Sequence, residues 1–217
     1  MGTKNKSNGA KETTLLVLVV DRSGSMQSIK EDMEGGIAAL LAEQGKEQGR
    51  CLVTLAQFDT EYDLVADGVP VAELEPYRLV PRGGTALLDA IGRTIAHVKD
   101  QVDQLGSKAG PDHVIVAVVT DGLENSSKEW SHLQVMDSVK ARVAEGWDFT
   151  FLGANQDAIE EGSRVGVAAA SSLTYDASEQ GTRQAFVAMS SSMSRRRGGL
   201  SKSMEYTEDE RRRAAGS

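Results

Sequence analysis

The sequence predicts an α/β domain with a doubly wound, mostly parallel sheet and helices on both faces. Segments of apolar, often β-branched residues alternate along the chain with segments of helical periodicity, which is the pattern of such a sheet. Two of the apolar segments, at 15–20 and 113–120, are continuous, as is typical of strands that are buried on both faces. With 217 residues, 40% of them hydrophobic, the chain can bury one sizeable core.

The first part of the chain predicts a strand, a helix and a hairpin. After the strand at 15–20, Ser28 and Glu31 form a capping-box pattern at the start of a helix. The apolar face of this helix is expected to consist of Ile29, Met33, Ile37, Leu40 and Leu41. A strand at 51–58 and a short return strand at 62–66 are joined by a tight turn, so we expect one antiparallel edge strand in the sheet.

The middle of the chain predicts two helices on either side of a buried strand. Apolar residues repeat at helical spacing over 87–105, and Gly106 fits a C-cap. After the strand at 113–120, a capping-box pattern over 126–129 predicts the start of the next helix. Four residues are expected on the inward face of that helix: Leu133, Met136, Val139 and Val143.

The last part of the chain predicts two strands and two helices. The strands are expected at 147–152 and 173–175, and a short helix that Asp157 caps lies between them. A final helix begins near Ser178. Its apolar face is expected to contain Phe186, Met189 and Met193. The sequence shows no internal repeat, which favours a single domain.

Polar segments flank the predicted domain. We expect a domain over 13–194, a flexible segment over 1–12 and a charged, disordered tail over 195–217. Since the tail is rich in arginine, a second interpretation is a docking arm for an acidic partner or nucleic acid. The formal net charge of −8 argues against a general binder of nucleic acid or anionic membranes.

Two features bear on the compartment. The polar N-terminal segment lacks the apolar centre of a signal peptide. The lone Cys51 allows no intramolecular disulfide and is compatible with a reducing compartment. We therefore expect a cytoplasmic protein that is monomeric on its own and does not bind membranes.

Polar residues follow the two buried strands at the point where each strand ends. Asp21, Ser23 and Ser25 alternate directly after the first strand, so that their side chains can project to one side. Asp121 follows the second strand, and Thr85 precedes the longest predicted helix. In open α/β sheets ligands bind beyond the carboxyl ends of the strands, where we expect these residues. Carboxylate and hydroxyl oxygens suit Mg²⁺ or Mn²⁺, and Ca²⁺ less well.

These segments resemble the metal-ion-dependent adhesion site of von Willebrand factor A domains. Three segments carry the resemblance: Asp21-Arg22-Ser23-Gly24-Ser25, Gly83-Gly84-Thr85 and Thr120-Asp121-Gly122. It extends over about residues 13–175, and bacterial and phage-encoded stand-alone domains of this family are similar to the chain in size. The resemblance implies a Rossmann-like sheet with the strand order 3-2-1-4-5-6 and an antiparallel third strand.

The resemblance also implies a function and a role for each residue. Ser23, Ser25 and Thr85 would coordinate a metal through their hydroxyls, and Asp21 and Asp121 would bind it directly or through water. A carboxylate of a partner protein would then bind to the metal, because Mg²⁺ retains exchangeable waters. The chain would thus be a metal-dependent protein-interaction module and no enzyme.

Two other functions remain as alternatives. A strand-end aspartate with Mg²⁺ also describes phosphatase-like enzymes, but Ser23 stands where dehalogenase-type phosphatases have a second aspartate. In the other alternative the metal is structural, and the C-terminal helix or tail makes the interaction. Asp59, Glu124 and Asn125 also lie near the predicted metal end, and we interpret them as turn formers or supporting residues rather than as ligands.

Overall fold

A six-stranded sheet forms the centre of the molecule in the computed structural model, which describes residues 12–216. The strands are β1 Thr13–Asp21, β2 Arg50–Phe58, β3 Tyr62–Pro70, β4 His113–Thr120, β5 Asp148–Ala154 and β6 Ser172–Tyr175. Their order is β3-β2-β1-β4-β5-β6, and only the β2–β3 pair is antiparallel. The predicted fold class, strand order and hairpin are therefore confirmed. The prediction of a flexible N-terminal segment lies outside the described residues except at Glu12.

The helices cover both faces of this sheet. They are α1 Lys30–Lys46, α2 Leu87–Ala109, α3 His132–Ala144, α4 Ala158–Arg164, α5 Glu179–Arg197 and α6 Glu208–Ala214. Helices α1, α5 and α6 contribute to the core on one face, and α2, α3 and α4 to the core on the other. In the part of the chain that the structure describes, no helix is both long and apolar enough to cross a membrane.

The continuous apolar run of β1 has a place in both cores. Leu16, Leu18 and Val20 pack on the α1 and α5 side, while Val17 and Val19 pack on the α2 and α3 side. All five side chains are fully buried. Since neighbours along a strand point to opposite faces, a strand covered on both sides shows no alternation of polar and apolar residues. The same arrangement at β4 places two buried strands side by side at the centre.

Both predicted capping boxes are wrong. A 3₁₀ helix over Gly24–Ile29 precedes α1, and α3 begins only at His132, after a capping box between Ser131 and Gln134. The cause in the second case is tertiary. The carboxylates of Glu124 and Asp89 accept the amide hydrogens of residues 126–130, which fixes this segment as a loop.

The later start of α3 also changes which of its residues face the core. Leu133 and Val143, which were expected inside, are 62% and 51% exposed. Val139 is fully buried, as predicted, and Val135, which was not expected on the inward face, is fully buried as well. In α2 the predicted C-cap, Gly106, has a positive φ of 68°, but helical structure resumes beyond it as far as Ala109.

The segment expected to be a disordered tail has ordered structure. Arg195–Arg197 complete α5, and residues 198–216, which we call the C-terminal strap, run along β6 and include α6. Met204, Tyr206 and Ala214 of the strap are buried in the core. The charges of the segment are used internally, since the guanidinium of Arg195 donates to both carboxylate oxygens of Glu210 at 2.7 and 3.0 Å. Composition alone therefore misrepresents this segment.

The same substitution is expected to have opposite effects on stability at two adjacent glycines of α1. A Cβ on Gly36 would lie 2.2 Å from the ring of Phe186, whereas a Cβ on Gly35 would meet nothing within 4 Å. We expect Gly36→Ala to destabilise the fold by about 1–3 kcal/mol through overpacking. Gly35→Ala should stabilise it by about 0.5–1 kcal/mol through helix propensity. Free energies of unfolding in urea would measure both, and an equal effect of the two variants would contradict the α1–α5 packing.

Candidate metal centre

The sequence-predicted residues lie at the carboxyl ends of β1 and β4 and in the loop before α2. Strands β1 and β4 are parallel neighbours, with Val20 paired to Val119, so Asp21 and Asp121 lie at the same edge of the sheet. Asp21 is fully buried, and Ser23 and Thr85 are 2% and 3% exposed. The structure brings all five residues into one region.

Hydrogen bonds connect four of the five residues directly or through one neighbour. The Ser23 amide donates to Asp21 Oδ1 at 2.6 Å. The hydroxyls of Ser23 and Ser25 are 3.1 Å apart, and Ser25 Oγ donates to Asp121 Oδ1 at 2.7 Å. Thr120 Oγ1 donates to Asp21 Oδ2 at 2.6 Å, so the two strand ends are joined. The hydroxyls thus occupy the space between the two carboxylates.

Thr85 reaches the same cluster from the loop before α2. A Cβ built on Gly122 would lie 3.0 Å from Thr85 Oγ1 and 3.8 Å from Ser25 Oγ, so both hydroxyls face this glycine. The backbone of Thr85 is held by Asn125, whose side-chain oxygen accepts the Thr85 amide at 2.9 Å. In return the backbone amide of Asn125 donates to the backbone carbonyl of Thr85 at 3.0 Å. A glycine at position 122 therefore leaves open the space that borders both hydroxyls.

The two carboxylates are in an environment that disfavours their charge. Burial raises the pKa of Asp21 to about 6, although hydrogen bonds from Thr120 and Ser23 lower it, and the nearby Asp121 raises it further. Burial also raises the pKa of Asp121, against the effect of the hydrogen bond from Ser25. A cation between these groups would offset both penalties.

The donor set fits a hard divalent cation. It offers two carboxylates and three hydroxyls, all oxygen, which is the chemistry that Mg²⁺ and Mn²⁺ prefer. Among residues 12–216 no three His, Cys, Asp or Glu side chains are grouped as metal ligands, so a zinc-type or carboxylate-rich cage is absent from the described part of the chain. The candidate centre contains only two side chains of those four types, because its other three ligands are hydroxyls.

Further residues hold the ligand-bearing loops in place. Glu124 accepts hydrogen bonds from the amides of Leu88, Ser126 and Ser127 and thereby joins the start of α2 to the loop after β4. Glu124 and Asn125 thus support the site, as interpreted from the sequence. Asp89, which sequence analysis missed, accepts three amides of the same loop. Its position in the first turn of a helix is ordinary for an aspartate and gave no signal.

No protein-family model matches the sequence, and no curated protein matches it. Solved structures are similar in fold. The vWF domain of the pilus tip protein Mfa5 from Porphyromonas gingivalis aligns with a TM-score of 0.58 and 10% identity, over 85% of this chain and 96% of that chain. The pilus adhesin SpaC from Lactobacillus rhamnosus GG aligns in its open conformation with a TM-score of 0.58 and 12% identity, over 86% of this chain and 31% of that chain.

A third similar structure contains a metal. Proximal thread matrix protein 1 from the mussel byssus, whose metal-ion-dependent adhesion site (MIDAS) motif is occupied by zinc, aligns with a TM-score of 0.54 and 13% identity, over 88% of this chain. The alignment covers 46% of the matrix protein, so this chain spans less than half of its length. At these identities the comparisons establish the fold, which is that of von Willebrand factor A domains.

Proposed function

We propose that the chain is a protein-interaction module that binds a divalent cation at the end of its central strands. The observation that carries the proposal is the cluster of two carboxylates and the three hydroxyls of Ser23, Ser25 and Thr85, in which Ser25 Oγ donates to Asp121. The neighbouring Thr120 Oγ1 donates to Asp21 and joins the two strand ends. The proposed ligands are Asp21, Ser23, Ser25, Thr85 and Asp121.

The residues have different roles in this proposal. Ser23, Ser25 and Thr85 would hold the cation through neutral hydroxyls, and Asp21 and Asp121 would supply the negative charge directly or through water. A bound cation would supply an electrophilic position for a carboxylate of the partner. Mg²⁺ and Mn²⁺ are the proposed cations, since every ligand atom is oxygen.

The similar structures support this proposal. A byssus matrix protein and a pilus adhesin have the same fold, and the matrix protein has a structure with zinc in its MIDAS motif. These are proteins of adhesion and of a matrix, which supports an interaction module over an enzyme. We extend to this chain the divalent cation and the protein partner, with a carboxylate as the group that is recognised.

Calorimetric titration of the chelator-treated protein with Mg²⁺ and Mn²⁺ tests the cation site. We expect saturable binding by the wild type and its loss in Asp121→Ala, because Asp121 is one of two charged ligands. Asp176→Ala is the matched control, since Asp176 follows β6 at the same edge of the sheet and its side chain is exposed. Absence of binding by the wild type, or equal binding by Asp121→Ala, would contradict the site.

Partner binding is tested after the cation site. A partner retained by the wild type in Mg²⁺ should be released by chelator and should not be retained by Asp121→Ala. Retention that is indifferent to chelator and to this substitution would contradict the function while leaving the cation site in place.

A further inference from the structure

Asp59 connects two loops that carry candidate ligands. It follows β2, is 1% exposed, and accepts hydrogen bonds from two guanidinium groups at the same oxygen. Arg22 Nε donates to Asp59 Oδ2 at 2.9 Å, and Arg82 Nε donates to it at 2.7 Å. The other carboxylate oxygen accepts the Glu61 amide at 2.6 Å. Both oxygens of this buried carboxylate are therefore engaged within the protein.

The two arginines lie beside the candidate ligands in the chain. Arg22 stands between Asp21 and Ser23, and Arg82 stands three residues before Thr85. Backbone hydrogen bonds join the same loops, since the Arg82 amide donates to the Arg22 carbonyl at 2.8 Å. The carboxylate of Asp59 thus binds one side chain from each ligand-bearing loop.

The main chain of Asp59 adds a third connection. Its carbonyl accepts the Ala86 amide at 2.9 Å, directly after Thr85. The Gly24 amide donates to the Gly83 carbonyl at 3.2 Å, and Gly83 has a positive φ of 67°. The turn that presents Thr85 is therefore held against the loop of Ser23 and Ser25 through Asp59 and its neighbours.

Asp59 also neutralises the buried positive charge of Arg22. The Arg22 side chain is 6% exposed, and its Nη1 pairs with Asp63 at 2.6 Å. Its Nη2 is buried and has no hydrogen-bond partner among the described residues. A buried positive charge beside a cation site opposes cation binding unless carboxylates neutralise it. Asp59, which is buried, neutralises this charge within the protein, and Asp63, which is 51% exposed, neutralises it at the surface.

We infer that Asp59 is a positioning residue that sets the spacing between Thr85 and the loop of Asp21, Ser23 and Ser25, and so favours a small cation over a larger one. The inference rests on the proposed function. A buried ion pair is by itself weak support for stability, because desolvation offsets much of the attraction. The ion pairs of Asp59 with Arg22 and Arg82 lie between the two ligand-bearing loops, and holding these loops together explains why the buried charges are present. Groups that orient metal ligands from outside typically change metal affinity when they are altered.

The ratio of Mg²⁺ to Ca²⁺ affinity tests the inference. We expect Asp59→Asn to weaken Mg²⁺ binding by about 10–100-fold, the usual effect of losing such an orienting group. Ca²⁺ affinity should fall by less, because Ca²⁺ accepts longer distances and more irregular geometry than Mg²⁺. Both cations carry the same charge, so their ratio separates spacing from the change in electrostatics. Calorimetric titration of the full chain with each cation gives the two affinities.

Two further variants complete the experiment. Asp63→Asn is the matched control, because it removes the exposed partner of the same guanidinium without touching Arg82, and we expect an effect below about twofold. Arg82→Gln cuts the link to Asp59 at a side chain that is 51% exposed, so it leaves the core unchanged. It should also lower the Mg²⁺ to Ca²⁺ ratio.

The outcomes separate the inference from the function beneath it. Mg²⁺ binding by the wild type with a lowered ratio in Asp59→Asn and Arg82→Gln, but not in Asp63→Asn, supports the inference. Mg²⁺ binding with an unchanged ratio in all three variants overturns it and leaves the proposed function standing. Absence of binding by the wild type, at a concentration where its fold is verified by circular dichroism, overturns the proposed function and the inference together.

Discussion

Asp21→Asn is expected to stabilise the chelator-treated protein at neutral pH and to abolish its response to Mg²⁺. Asp21 is fully buried, and burial raises its pKa from 3.8 to about 6. At pH 7.5 the folded protein therefore carries a buried charge whose ionisation costs about 2–3 kcal/mol relative to the unfolded chain. The asparagine removes that charge and keeps the shape of the side chain.

The hydrogen bonds of Asp21 can adapt to the amide. Its carboxylate accepts the Ser23 amide through one oxygen and the Thr120 hydroxyl through the other. In the Asp21→Asn variant, the side-chain oxygen of the asparagine would retain the first bond. The NH₂ group would donate to Thr120 Oγ1, whose own hydrogen can turn to the Gly122 carbonyl at 3.1 Å. The Ser23 hydroxyl, which also hydrogen-bonds to the Asp21 carboxylate, is an available acceptor for the second N–H of the amide, so we expect the loss of charge to dominate.

The pH dependence of the difference between the two proteins has a definite sign. In the unfolded chain Asp21 loses its proton near pH 3.8, whereas in the folded protein it keeps the proton until about pH 6. The favourable contribution of this group is therefore complete below about pH 4 and is lost as the pH rises through 6. The advantage of Asp21→Asn in free energy of unfolding should be near zero at pH 4 and should reach its plateau above pH 6.

Unfolding in urea with and without Mg²⁺ measures both halves of this prediction. The wild type should gain about 2.7 kcal/mol at a cation concentration about one hundred times Kd, since only the folded state binds. Asp21→Asn should gain nothing, because one of two charged ligands is missing. A variant less stable than the wild type in chelator at pH 7.5, or one that Mg²⁺ still stabilises, would contradict the assignment of Asp21.

The sequence predicts the sheet, and it predicts that the five candidate ligands lie in one region, for a physical reason. Both predictions depend on local sequence patterns, each of which lies complete within one short segment. Continuous apolar runs identify β1 and β4, and polar residues can stand at their ends only where the strands leave the core. Asp21 and Asp121 mark these ends, and the glycines before Thr85 and after Asp121 mark close approach.

The features that sequence analysis missed depend on partners far along the chain. The segment over 126–129 has a capping-box pattern, but Asp89 and Glu124 bind its amides and prevent a helix there. Strand β3 extends to Pro70 rather than ending at 66, because Gly68 adopts a positive φ of 63° and its amide donates to Thr54 Oγ1. Asp67-Gly68 alone is typical of a turn.

The C-terminal strap was missed because arginine has two uses. A run of arginines predicts a solvated surface, yet a guanidinium also satisfies backbone carbonyls that a sheet edge leaves open. Arg211 donates to the carbonyls of Ser172, Ala169 and Ala170 at 2.7, 3.0 and 2.9 Å. It also lies over the ring of Tyr206. One side chain thus binds the first carbonyl of β6 and two carbonyls of the turn before it.

Removal of residues 200–217 is expected to destabilise the fold by about 5 kcal/mol or more, from the lost burial of Met204 and Tyr206 and the lost hydrogen bonds. The Tyr206 hydroxyl, 2.6 Å from that of Thr150, and the bonds of Arg211 would be lost together. The exposed edge of β6 should then promote self-association. Urea unfolding and light scattering at increasing protein concentration measure the two effects.

Two adjacent arginines allow the edge contribution to be isolated in the full chain. Arg211→Ala removes the bonds to the three carbonyls, whereas Arg212, which is 67% exposed, pairs with Asp209 on the surface of α6. We expect Arg211→Ala to cost about 2–3 kcal/mol, because it removes charge-assisted hydrogen bonds and leaves the Ser172 carbonyl of β6 without the guanidinium, while the Ala169 and Ala170 carbonyls keep the backbone amides of Ser172 and Tyr206. Arg212→Ala should cost less than about 0.5 kcal/mol. Equal costs would show that apolar burial alone holds the strap.

The same two variants test whether the strap binds the partner. Since the strap lies along β6, away from the ends of β1 and β4, cation binding should survive in both variants. Partner binding that is lost only in Arg211→Ala would assign the interaction to the strap.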